Sequence, residues 1–214
     1  MPSKLFQKRK EEAKRRADRE AKLRAEQVRI LLVSEGSKTE PNYLVEFFRL
    51  DGGSRIEPFA TRDHNTSPTT LLNQAKAILQ DDEDFDLAFI VGDRDEFDDF
   101  AQAVDAAPRL KTTPKLKYIY SDPCFELWFL LHFEFWDAPI DRHAIRDELK
   151  RHIPNYQKRD QAIAREIYEK TDIAMQNSVK LRAKMECSDS TCPTTLVDIL
   201  ISDVRKLIQQ RENE

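Results

Sequence analysis

The sequence predicts an α/β fold, a parallel sheet flanked by helices, with a basic N-terminal arm and a helical C-terminal region. Two observations carry the sheet. Short apolar runs alternate along the chain with segments whose apolar residues recur at helical spacing. The clearest runs, residues 28–34 and 87–91, are nearly continuous rather than alternating, the habit of strands buried on both faces. A third observation bounds the size. With 214 residues, 40 % hydrophobic and 35 % charged, the chain holds one domain of ordinary size and an appendage, not two large domains. Only 4 glycines exclude collagen-like, glycine-linker and propeller-like architectures.

The elements follow in order. Residues 1–28 are rich in Ala, Glu, Lys and Arg without a strong apolar stripe, which suits a frayed basic helix or a disordered arm. Residues 28–34 form the first strand and 35–41 a turn. Tyr43, Leu44, Phe47 and Phe48 then mark a helix. Ser37-Lys38-Thr39-Glu40 matches a capping box with Pro41 in the first turn, so Glu40 is assigned to structure rather than catalysis. A second strand covers residues 56–60. Ser67 or Thr69 caps a helix whose stripe is Leu71, Leu72, Ala75, Ile78 and Leu79, closed by the acidic run 81–84. Residues 87–91 are the third strand and lead into Gly92-Asp93-Arg94-Asp95-Glu96. A helix near 98–106 and a strand over 116–120 follow. Asp122 as N-cap and Pro123 at the first helical position start a helix through Phe133. The organisation is an arm over 1–28, an α/β core over 29–140 and a helical extension over 141–214 packed on it. In the extension Ile145/Leu149, Ile163/Ile167 and Leu196/Ile199/Leu200/Val204/Leu207 recur at helical spacing.

Charge is unevenly spread. Residues 1–29 carry a net +6, so the rest of this −4 chain carries −10. The chain is therefore not a globally basic coat for nucleic acid, but a basic arm on an acidic body. Three cysteines, Cys124, Cys187 and Cys192, without a C-x-x-C pair, argue against a disulfide framework or a cysteine zinc site. The longest apolar-rich stretch, 125–135, is too short and too charged to span a bilayer, and no apolar signal segment opens the chain. A soluble cytoplasmic protein with no membrane partner is expected.

In open α/β sheets, functional groups collect at the carboxyl ends of the strands. Three strands here end in acid: Glu35 after the first, Asp93 and Asp95 after the third, Asp122 and Glu126 after the fourth. Hard divalent cations bind such carboxylates, and metal-assisted phosphoryl chemistry uses them. Asp93 and Asp95 are two apart, so in extended backbone both point the same way. A solvated acidic turn is the plainer alternative. Glu35, beside that pair, suits a general acid or base. Glu126 sits in an apolar stretch where a carboxylate needs a partner such as a metal or a lysine. Candidate substrate contacts are Lys38 in the turn, His64 in a polar loop and His132. Lys38 reads equally as a solvated residue and His132 as a satisfied core histidine. Lys158, after Pro154-Asn155-Tyr156, says nothing in isolation.

Glu35-Gly36 after one strand and Asp93-x-Asp95 after another resemble the TOPRIM domain of topoisomerases, primases and OLD-type nucleases. More closely, the chain resembles the RloB family. The likeness is carried by Leu31-Leu32-Val33-Ser34-Glu35-Gly36, Thr39-Glu40-Pro41 with Tyr43, and Phe89-Ile90-Val91-Gly92-Asp93-Arg94-Asp95-Glu96. It continues through Ser121-Asp122-Pro123-Cys124-Phe125-Glu126-Leu127-Trp128, Leu130-Leu131-His132-Phe133, Tyr156-x-Lys158 and Pro193-Thr194-Thr195. The resemblance implies a TOPRIM-type nuclease of prokaryotic restriction and phage-defence loci, often beside an ABC-type ATPase partner. It implies Glu35 as general acid/base, Asp93 and Asp95 (with Glu35) as ligands of Mg²⁺ or Mn²⁺, and Glu126 and Lys158 near the site. One departure is Ser121-Asp122-Pro123, where the family pattern has asparagine in the middle.

The leading expectation is thus a metal-dependent nuclease acting on RNA or DNA, with RNA such as tRNA slightly favoured on the resemblance alone. A second reading is a non-catalytic or regulatory subunit that binds an ATPase or nucleic acid. A D-x-D phosphatase is disfavoured, because in that class the motif closes the first strand. Oligomeric state is left open, a homodimer included.

Overall fold

The computed structural model describes residues 14–15, 27–36, 38–52, 55–60, 66–94, 97–157, 162–186 and 193–213. Of the basic arm, Lys14 and Arg15 are helical, Gln27 and buried Val28 lead into the first strand, and the remainder lies outside the described residues. So do Cys187 and Cys192, whereas Cys124 is a buried free thiol.

The order of elements is β1 (Arg29–Ser34), α1 (Thr39–Leu50), β2 (Arg55–Ala60), α2 (Pro68–Asp81), β3 (Leu87–Asp93), α3 (Phe100–Ala106), β4 (Leu116–Asp122), α4 (Glu126–Leu130), α5 (Arg142–His152), α6 (Ile163–Ile167), α7 (Thr171–Glu186), β5 (Thr194–Thr195) and α8 (Val197–Glu212). The five strands make one sheet in the order β2-β1-β3-β4-β5, with β1 to β4 parallel and β5 antiparallel to β4. This is the flanked, mostly parallel sheet expected from the sequence.

β1 and β3 lie centrally, which explains their continuous apolar runs. Residues alternate between two cores. Ile30, Leu32, Phe89, Val91 and Ile119 face α1 and the helices after β4. Leu31, Val33, Ala88, Ile90, Leu116 and Tyr118 face α2 and α3. The first core runs from Val28 to Val204, so the C-terminal helices and the sheet share one apolar interior.

Local sequence explains most boundaries. Ser67 caps α2, its hydroxyl oxygen accepting from the Thr70 N–H at 3.4 Å, with Pro68 next. Asp141 caps α5, one carboxylate oxygen accepting from the His143 and Ala144 N–H groups at 2.7 and 2.9 Å.

Two expectations are corrected. The helix after β4 starts at Glu126, not Asp122, and ends at Leu130. Asp122 instead closes β4, because it pairs with Thr194 of β5, and the Asp122–Pro123 peptide is cis. The reading of 141–214 as wholly helical misses β5. That strand is held from behind. Ser121 and Thr195 share a hydroxyl hydrogen bond of 2.8 Å. Arg182 donates to the Thr195 carbonyl at 3.0 Å and to buried Asp198 at 2.6 Å.

Candidate functional site

The site is at the carboxyl end of the sheet and begins with Asp93, the last residue of β3. Register places Asp93 beside Ser121 and Val91 beside Ser34, so Glu35 follows β1 at the same end of the sheet. The Asp93 side chain is only 11 % exposed. Its Oδ1 accepts from the Phe125 N–H at 2.8 Å, where the chain turns into α4. α4 and α1 are tied beneath the site, the Trp128 indole N–H donating to the Tyr43 hydroxyl at 2.9 Å.

Two further carboxylates act on Asp93. Glu126, the first residue of α4, is 1 % exposed. Glu40 lies in the first turn of α1 and reaches back over Gly36. A Cβ at Gly36 would stand 2.6 Å from Glu40 Oε2, so the missing side chain makes room for that carboxylate. Burial, then repulsion from Glu40 and Glu126, raises the Asp93 pKa to about 8, despite the opposing Arg142 and the Phe125 N–H. Burial likewise raises the Cys124 thiol, with Glu126 and Asp93 adding to it.

Positive charge comes from α5. Arg142 Nη1 is 3.7 Å from Asp93 Oδ2, and Arg146 Nε is 3.6 Å from Glu126 Oε1. The two arginines are one turn apart and therefore share a face. Buried Ile145 and Leu149 set the rotation of that helix. Arg94 pairs with Asp122 at 3.1 Å beside the site.

Tyr156 follows α5, its N–H bonded to the Ile153 carbonyl at 2.9 Å and its ring at an angle to Phe129. Burial raises its hydroxyl pKa, with Glu126 and Cys124 next in effect.

The sequence-predicted residues divide accordingly. Glu35, Asp93 and Glu126 come to one end of the sheet. Lys38 is exposed immediately before α1. His132 is 1 % exposed; its Nδ1 is 2.8 Å from the Trp128 carbonyl and its ring meets the Trp128 ring edge-on. Burial lowers its pKa to about 4. Asp95, His64 and Lys158 lie outside the described residues. Sequence reasoning missed Arg142 and Arg146 and read Glu40 as part of a capping box. The capping box itself involves Ser37, outside the described residues. Glu40 turns back toward Gly36, the direction a capping-box glutamate takes, and also acts on Asp93. An i, i+4 arginine pair flanking buried Ile145 was the available signal.

Among the described residues, no three carboxylate, imidazole or thiol groups are gathered closely enough to hold a metal ion. The donor chemistry nevertheless suits a hard divalent cation. All candidate donors are carboxylates, and Asp93 is held in an excess of negative charge that a cation would relieve. Mg²⁺ needs few protein ligands, because it keeps several waters. No helix among the described residues is long and apolar enough to cross a membrane.

A family model described as RloB-like protein matches residues 30–204. The chain belongs to the RloB-like family. No curated protein and no solved structure matches it.

Proposed function

We propose that this RloB-like chain is a metal-dependent nuclease of the TOPRIM type that cleaves phosphodiester bonds as a phage-defence effector. RNA, tRNA in particular, is favoured over DNA on family resemblance. One observation supports the reading most: Asp93 is buried at the strand ends with Glu40 and Glu126 acting on it, and Glu35 follows the neighbouring strand. Such a charge excess favours a cation and a phosphate brought together.

Asp93 and Glu35, with Asp95, would hold Mg²⁺ or Mn²⁺. A bound ion of that kind neutralises charge developing on the phosphate and activates water. Glu35 would exchange the proton of the attacking or leaving oxygen. Glu126, ion-paired with Arg146, would be a further catalytic candidate. Lys158 stays a candidate through the resemblance, and an ABC-type ATPase a candidate partner. The +6 arm would steer the acidic body to nucleic acid in a salt-dependent way.

The test is cleavage of labelled tRNA, single-stranded DNA and double-stranded DNA by wild type and Asp93→Asn, with Mg²⁺, Mn²⁺ or EDTA. Metal-dependent cleavage of one polymer, lost in the variant, is the expected result. The regulatory-subunit reading has one observation in its favour: Arg142 already places positive charge beside Asp93. Retained biological activity in Asp93→Asn would select it.

A further inference from the structure

Arg94 follows Asp93 directly and is the middle residue of the D-x-D sequence. Consecutive residues in extended backbone point to opposite faces of a sheet. Asp93 continues the row of Phe89 and Val91 toward the first core. Arg94 takes the other side, where its guanidinium carbon lies 6.0 Å from the centre of the Phe100 ring in α3.

From these two sides, Asp93 and Arg94 close on one turn, Ser121-Asp122-Pro123-Cys124-Phe125, which joins β4 to α4. The Arg94 N–H donates to the Ser121 carbonyl at 2.7 Å, and Arg94 Nη1 donates to Asp122 Oδ2 at 3.1 Å. Asp93 Oδ1 accepts from the Phe125 N–H at 2.8 Å. Arg94 thus grips the start of the turn and Asp93 its end. The next residue is Glu126, whose charge bears on Asp93. The Arg94 and Asp122 side chains are 48 % and 22 % exposed, and a pair so open to water adds little to stability. What it controls is direction, because a turn released at Asp122 can carry the Phe125 N–H away from Asp93.

We infer that Arg94, through Asp122, is a positioning residue of this site. It holds the 121–125 turn so that the Phe125 N–H stays on Asp93 and the carboxyl keeps one orientation toward a divalent cation. The inference rests on the proposed role of Asp93 as a metal ligand. Hydrogen bonds behind a ligand orient it and set much of its metal affinity. Arg94 acts through the turn and binds neither cation nor substrate.

The experiment reads the turn and the cation separately. Hydrogen exchange of the Phe125 amide is followed by NMR in metal-free protein, and Mg²⁺ and Mn²⁺ affinities are measured by calorimetry. Fluorescein-labelled tRNA is titrated in EDTA by anisotropy. Wild type is compared with Arg94→Met, Arg94→Lys, Asp122→Ala and the double variant Arg94→Met/Asp122→Ala, with Tm recorded for each. Arg94→Met should speed Phe125 exchange and weaken divalent binding by about tenfold. Its Tm should move by no more than a few degrees, because the pair is half-exposed. Arg94→Lys should recover part of the lost affinity, since an ammonium still pairs with a carboxylate but offers no planar fork. Arg142 also bears on Asp122, so Asp122→Ala removes more than Arg94→Met does. The double variant should match Asp122→Ala, because without Asp122 the arginine has nothing to act through.

Wild type that binds metal, with divalent affinity unchanged in Arg94→Met, overturns the positioning role and leaves the metal reading standing, whether or not Phe125 exchange rises. Weaker tRNA binding in Arg94→Met with divalent affinity intact makes Arg94 a direct substrate contact and likewise overturns it. Folded wild type that binds neither cation overturns the metal reading and the positioning role with it.

Discussion

The two ends of one sheet are built to opposite rules. At the amino end, Arg29 opens β1 and meets two carboxylates at once. Its guanidinium bonds Glu57 at 2.7 and 2.8 Å and Asp82 at 3.0 and 2.7 Å. Its backbone N–H donates to Asp86, which also pairs with Arg211, and the Phe85 ring lies 4.2 Å from the guanidinium carbon. Donors and acceptors match there. At the carboxyl end, Arg142 stands 3.7 Å from Asp93 and Arg146 3.6 Å from Glu126, while Glu40 and Glu126 act on Asp93 as like charges. Ion pairs hold elements together at the amino end, whereas at the carboxyl end like charges gathered around a buried carboxyl raise its pKa.

The largest effect that would break this contrast is loss of function at Asp93. Asp93→Asn should reduce cleavage by about 10³-fold or more. The fold should gain from the same change. A carboxyl with folded pKa about 8 holds its proton more tightly folded than unfolded. The stability this gives is complete below about pH 4, the unfolded value, and is lost as pH rises through 8. In EDTA, wild-type stability should therefore fall across that window, and chemical denaturation should show Asp93→Asn free of the fall. Above pH 8 the variant should be more stable by roughly 1–3 kcal/mol. A variant less stable than wild type at that pH contradicts the assigned charge excess.

The opposite result is expected at the other end. Arg29→Ala leaves partly exposed Glu57 and Asp82 without their common cation. It should cost about 1–3 kcal/mol in urea denaturation, less than a fully buried pair, and leave kcat within about twofold. Smallest is Gly36→Ala. The added Cβ displaces only the flexible end of Glu40, so stability should change by less than about 1 kcal/mol. Cleavage should fall by about tenfold or less, because one carboxylate moves. A large loss of Tm there would show that Gly36 serves the backbone instead.

Much of the sheet was legible because its central strands are buried on both faces. Continuous runs such as Leu87 to Val91 have few other readings, and Asp93 follows directly from where that run stops. Glu126 was legible as a carboxylate inside apolar sequence. β5 was not, since two threonines carry no period, and the partner that defines them, Ser121-Asp122, is over seventy residues away. That same pairing moved the start of α4. Glu40 was legible as the glutamate of a capping box, and its position over Gly36 agrees with that local role; its effect on Asp93 was not legible. Arg142 and Arg146 look like any solvated arginines on a polar helix. Their role depends on how Ile145 and Leu149 turn α5, which local sequence does not state.

The most direct test is a calorimetric titration of wild type and Asp93→Asn with Mg²⁺ and Mn²⁺ at pH 6.5 and 8.5, in buffers of different ionisation enthalpy. If Asp93 is held protonated by its neighbours and is a metal ligand, binding should tighten by up to about tenfold per pH unit below 8. Proton release on binding should be larger at the lower pH and absent in Asp93→Asn, whose affinity should collapse. Divalent binding that is equal in both proteins, or absent from folded wild type, would contradict a carboxyl end built to take a cation.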